Sequence, residues 1–126
     1  MYGDASGENM KTTGSTDFKI IRECLRNSSY GYVNLSVPKG NPHVQERISL
    51  MNAKLCSASG NASLWVDPKC RELIKDFEEV SYKPSSKVID KEADPKRTHL
   101  SDALGYLLFR EFPPGAPIGE KGKRIL

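Results

Sequence analysis

At Asn41-Pro42 and at Asp67-Pro68 an Asn or Asp stands directly before a proline and ahead of a helical apolar pattern. Such a pair constrains the backbone strongly. The side-chain oxygen can accept an orphan N–H of a helix, and proline suits the first helical position, where no donor is needed. Behind Asn41-Pro42, Val44, Ile48, Met51 and Leu55 recur on one helical face, which predicts a helix to about Leu55. Leu73, Ile74, Phe77 and Val80 do the same behind Asp67-Pro68. Thr16, followed by Asp17, predicts an earlier helix to about Arg26 that carries Phe18, Ile21 and Leu25. Thr98 opens a last helix with Leu100, Ala103, Leu104, Leu107 and Leu108, and Pro113-Pro114 stops it. The intervening segments read differently. Residues 30–37 alternate roughly and predict a strand ending at Pro38. Residues 63–66 predict a short strand, and Tyr2-Gly3-Asp4 the end of another. Residues 83–97 are polar and charged, a loop with a short extended piece at Val88-Ile89. Strands alternating with helices predict an α/β class.

Length and charge narrow the options. A chain of 126 residues with 37% hydrophobic and 28% charged residues supports one domain with a modest core, and excludes collagen and coiled coil. Leu107-Leu108-Phe109 is far too short to cross a bilayer. The opening Met-Tyr-Gly-Asp lacks a basic-then-apolar signal pattern, so a cytosolic, non-membrane setting is expected. A net charge of +3 does not diagnose nucleic-acid binding by itself. Cys24, Cys56 and Cys70 are odd in number and widely spaced, which suits neither a disulfide framework nor a zinc site. They are expected as reduced thiols, buried or half-buried. Trp65 and Tyr30 are expected in the core.

No Ser/His/Asp set can be assembled, and His43 reads as a solvated first-turn residue. Gly3-x-x-x-Gly7 lacks the Gly-Lys-Ser/Thr ending of a phosphate loop. Two carboxylates stand out instead. Asp4 sits at a strand end before a Gly-containing turn, and Asp102 in the first turn of an otherwise apolar helix. Each has a simpler role, Asp4 as a turn former and Asp102 as a dipole or capping group. Together they suggest a pair that meets in space. Hard divalent cations take oxygen ligands, and paired ions can activate water for phosphodiester cleavage.

A set of short motifs carries a family resemblance. They are Tyr2-Gly3-Asp4-Ala5-Ser6-Gly7, Thr16-Asp17-Phe18-Lys19-Ile20-Ile21, and Asn41-Pro42 with Arg47-Ile48 and Asn52-Ala53. Val66-Asp67-Pro68-Lys69-Cys70 with Leu73-Ile74-Lys75-Asp76 follows, then residues 98–106 from Thr98 to Tyr106. In that order, over about residues 2 to 112, they resemble the C-terminal nuclease part of the large terminase subunit of tailed bacteriophages.

That resemblance implies an RNase H-like (resolvase-type) α/β fold that cuts concatemeric phage DNA during genome packaging. It implies an acidic cluster holding two Mg²⁺ or Mn²⁺ ions, with Asp4 matching the central-strand acid and Asp102 the helix acid. The implied partners are double-stranded viral DNA, the portal and the small terminase subunit. The implied place is the packaging complex at the procapsid, in the host bacterial cytoplasm. The first-strand acid, the first strands and the motor ATPase have no counterpart in these residues, so the chain is expected to be an incomplete, inactive nuclease piece, as from a split or decayed prophage gene. Residues 1–112 would form the partial nuclease domain and residues 113–126 a flexible tail. Lys96 and Arg97, nearest the acidic helix, are the expected DNA contacts. A non-catalytic module of the same α/β architecture that docks DNA or portal, its acids serving as caps, is the alternative.

Overall fold

The computed structural model describes residues 1–29, 31–86, 88–90 and 97–115. Helices account for the regular structure among them: α1 (Asp17–Arg26), α2 (Val44–Leu55), α3 (Arg71–Glu79) and α4 (His99–Glu111), preceded by a 3₁₀ turn at Ala5–Glu8. α4 is the central element, packed against both α2 and α3, whereas α1 rests on the 3₁₀ turn.

This overturns the expected α/β, RNase H-like class. No strand forms among the described residues. The segments expected as strands form no regular structure and are almost unpaired. The Met1 amino group donates to the Asn34 carbonyl at 2.6 Å, and the Ser36 N–H donates to the Met1 carbonyl at 2.8 Å. That pattern is one rung of a parallel pairing and goes no further. Tyr82 and Ile89 form an isolated antiparallel bridge. Parallel strands are stable when buried between neighbours on both faces, and these segments have no such cover. Residues 63–66 instead run back along the end of α2, where the Lys54 carbonyl accepts from the Ser63 and Leu64 N–H groups. Trp65, expected in the core, is 78% exposed. Tyr30 and residues 116–126 of the expected tail lie outside the described residues.

The helices match the sequence pattern more closely, with corrections at their starts. Thr16 caps α1 as expected, its hydroxyl accepting from the Lys19 N–H at 3.2 Å. Asn41 and Asp67 do not cap helices. α2 begins after His43 and α3 after Cys70, neither with a side-chain cap. Asp67 instead closes a local turn, accepting from the Lys69 N–H at 2.8 Å. Asn41 reaches across to the amino-terminal segment. Both residues obey the same preference for orphan N–H groups, satisfied outside a helix.

The apolar core is thin, with Phe18, Met51 and Leu108 its buried members. Phe18 docks α1 by laying its ring over Gly3 and Gly7, where a Cβ would stand 2.8 Å and 2.5 Å from the ring. The Gly3/Gly7 spacing is therefore a packing feature. On α4 the buried face is Ser101, Gly105 and Leu108, while Leu100 is 48% exposed and Ala103 is exposed. Small residues at this face let the Arg47 side chain lie against the helix, its Nη1 3.4 Å from where a Gly105 Cβ would be. The three cysteines carry no disulfide, as expected, but are exposed rather than buried.

α4 takes its N-terminal cap from another helix. Thr98 occupies the N-cap position without a side-chain cap bond. Asp76 on α3, 2% exposed, accepts from the Leu100 and Ser101 N–H groups at 3.2 and 3.0 Å. Arg97 balances it, reaching Asp76 at 3.7 Å, Glu72 at 3.2 Å and Glu79 at 2.9 Å. Replacing Asp76 by Ala strips a buried, charge-assisted cap from two amides and loosens Arg97. The variant should lose about 2–4 kcal/mol, read as a fall in the urea midpoint. An unchanged midpoint would show that the α3–α4 junction does not depend on this carboxylate.

Candidate functional site

Asp4 and Asp102, at opposite ends of the chain, line one open cleft of about 950 Å³ together with Asn41, Arg47, Lys83 and Tyr106. Each acid is held by a neighbour. Asp4 precedes the 3₁₀ turn, and its Oδ1 accepts from the Ser6 N–H at 2.7 Å and the Asn41 side-chain amide at 2.8 Å. Asn41 Oδ1 in turn accepts from the Ala5 N–H at 2.8 Å. Asp4 Oδ2 accepts the Tyr106 hydroxyl at 2.7 Å. Asp102, one turn earlier on α4 than Tyr106, takes Arg47 Nη1 on its Oδ1 at 3.0 Å.

Arg47 joins the two halves. Its side chain is 6% exposed, and its guanidinium lies 4.2 Å from the Tyr106 ring centre, a cation–π contact. One line of contacts thus runs from Asp102 through Arg47 and Tyr106 to Asp4. Further bonds lock the amino-terminal segments onto α4: Tyr2 donates to Glu111 at 2.7 Å, and Arg110 Nε to the Ser36 hydroxyl at 3.0 Å.

The electrostatics follow from these bonds. The Ser6 N–H, Asn41 and Tyr106 hold the Asp4 carboxyl well below the usual carboxylate range, against the smaller opposing effect of burial. Asp4 is therefore ionised throughout the physiological range. Burial, then the bond to the Asp4 carboxylate, pushes the Tyr106 hydroxyl up to about 12, so it remains a donor.

Of the four residues expected at the site, Asp4 and Asp102 are brought to one cleft. Arg97 lies instead against the α3 carboxylates Glu72, Asp76 and Glu79, and Lys96 is outside the described residues. Arg47, Lys83 and His43 line the cleft instead. Sequence reasoning missed Arg47, Asn41 and Tyr106 as site residues. The signal was present in the motif set, which quotes all three, but helical periodicity alone reads an arginine as surface. No group of three or more His, Cys, Asp or Glu side chains that could hold a metal occurs among the described residues. No helix among them is long and apolar enough to cross a membrane. Compared with protein-family models, curated proteins and solved structures, the chain matched none.

The linkage between Tyr106 and Asp4 has a definite sign. A hydroxyl whose pKa is raised on folding contributes stability that is complete below pH 10 and is lost as pH rises towards about 12. In a tyrosinate absorbance titration Tyr106 should ionise near 12, and Asp4→Asn should bring it down towards 10. If Asp4→Asn leaves that titration unmoved, the Tyr106–Asp4 bond does not exist in solution.

Proposed function

We propose that this chain is the C-terminal part of a tailed-phage terminase large subunit and supplies two carboxylates, Asp4 and Asp102, to a metal-dependent endonuclease site. The proposal rests on the residues of the site and takes no support from the fold, which is helical among the described residues where that family's nuclease part is α/β. The observation that supports it is convergence. Residues from separate motifs of the resemblance, Asp4, Asn41, Arg47, Asp102 and Tyr106, meet around one cleft. Asp76 of another motif caps the Leu100 and Ser101 amides of the last.

The donor set suits one hard cation. Mg²⁺ binds through about one or two carboxylates and otherwise keeps its water. Asp4 is ionised, and an oxygen that accepts a single hydroxyl bond retains a lone pair. Glu46 lines the same cleft but forms no three-ligand group with Asp4 and Asp102, and two acids fall short of a two-ion site, so this chain alone is inactive and needs a further carboxylate from elsewhere. When bound, Mg²⁺ or Mn²⁺ would supply Lewis acidity and a more acidic water. The protein's own residues do the positioning. Tyr106 and Asn41 orient Asp4, Arg47 orients Asp102, and Arg47 with Lys83 places positive charge beside an incoming phosphodiester of viral DNA. The wider setting, at the procapsid with portal and small subunit, is part of the same proposal.

A second reading has its own support. Asp4 caps the 3₁₀ turn and Asp102 pairs with Arg47, so both acids already have structural work, as in a non-catalytic module that docks DNA or portal. Titrating Mn²⁺ into the ¹⁵N-labelled chain separates the two. The nuclease reading predicts broadening confined to amides next to Asp4 and Asp102, with affinity falling about tenfold or more in Asp102→Asn. Weak broadening spread over all acidic surfaces supports the docking module and rejects the metal site.

A further inference from the structure

A second cavity, of about 220 Å³, lies between α2, α3 and α4 and adjoins the acidic cleft along Arg47, Ile89 and Asp102, which line both. Its wall is part polar and part apolar, the apolar part built from Ile48, Met51, Phe77, Val80 and Ile89. Two of its polar groups lack partners. Arg47 Nε and the Thr98 hydroxyl are buried with no hydrogen-bond partner among the described residues. Thr98 is 1% exposed, and Arg47 is 5% exposed. Buried polar groups without partners are rare, because burial removes their water and returns nothing.

Thr98 carries a further cost at the same place. Its φ is +84°, a left-handed conformation that β-branched residues seldom adopt. Backbone strain of this kind concentrates where a side chain must be presented in a fixed direction. The strain, the unused hydroxyl and the unused guanidinium N–H share one cavity wall.

The wall also defines the chemistry of an occupant. Asp76 and Asp102 line the cavity, and the Arg47 charge is already met by Asp102. Arg97 likewise meets Asp76, so the wall has no spare positive charge for an anion, and phosphate and carboxylate ligands are disfavoured. Arg47 Nε calls for an acceptor, and the Thr98 hydroxyl can donate or accept. A cavity of about 150 Å³ lined by aliphatic and aromatic side chains holds a benzene ring, so this one has room for a substituted six-membered ring. We propose that the cavity binds a small, uncharged ring compound bearing a carbonyl, the chemical class of a pyrimidine base, with the carbonyl on Arg47 Nε and a second polar atom on the Thr98 hydroxyl. The site is distinct in its ligand from the cation cleft and stands whether or not that cleft holds a metal.

Uracil is the probe, titrated into the ¹⁵N-labelled full chain and followed by NMR. Saturable shifts are expected at the Arg47 Nε–H and at the Thr98 and Ser101 amides, with no such shifts from inorganic phosphate. Thr98→Val keeps the shape and removes the hydroxyl, and should weaken binding about five- to tenfold. Val80→Phe, which fills the cavity from the α3 side, should abolish it. The proposal is overturned if uracil gives no saturable shifts, as when water alone occupies the cavity. It is equally overturned if phosphate produces the same shifts, or if a folded Val80→Phe binds uracil as the parent does.

Discussion

A buried arginine organises this small protein. Taking a guanidinium out of water is costly unless its charge is met, and the Arg47 charge is met from α4 at close range. Asp102 supplies the counter-charge and Tyr106 the aromatic face. Gly105 between them leaves the space through which the side chain passes. Helix α2 cannot rotate or slide on α4 without breaking these contacts together. Tyr106 then hands the order on to Asp4, so the amino-terminal segment is tied to the last helix through the arginine's own partner.

The α3–α4 junction works on the same principle with opposite charge. Asp76 is buried because two orphan amides at the start of α4 need an acceptor that Thr98, in its left-handed conformation, does not provide. Arg97 with Glu72 and Glu79 completes the network on α3. Among the described residues only Phe18, Met51 and Leu108 are buried apolar side chains, so polar contacts between helices carry an unusual share of the specificity here. Truncating either polar hub is therefore more damaging than trimming an exposed aliphatic such as Leu100.

What could be read from the sequence follows from which forces are local. α1 with its Thr16 cap, and the approximate extents of the other helices, rest on short-range bonds and periodicity, and these were legible. Strands were not, because alternation in residues 31–37 specifies an extended chain but not a neighbour, and here one parallel rung forms. The buried faces of α2 and α4 were misread for a related reason. Periodicity assigns burial to aliphatics, while the actual contact places Arg47 against Gly105 and Asp102. Of the candidate site, Asp4 and Asp102 were singled out from chemistry and both line one cleft, yet the residues that hold them became visible in three dimensions alone.

The functional account depends on whether these two acids act as ligands or only as structural acceptors. Arg47 and Tyr106 serve either role, since they fix the carboxylates in place. Anomalous diffraction from crystals of the chain soaked in Mn²⁺ decides most directly. The account predicts a peak in the cleft within about 2–2.5 Å of an oxygen of both Asp4 and Asp102. An empty cleft, with the Arg47–Asp102 and Tyr106–Asp4 contacts unchanged, would contradict it.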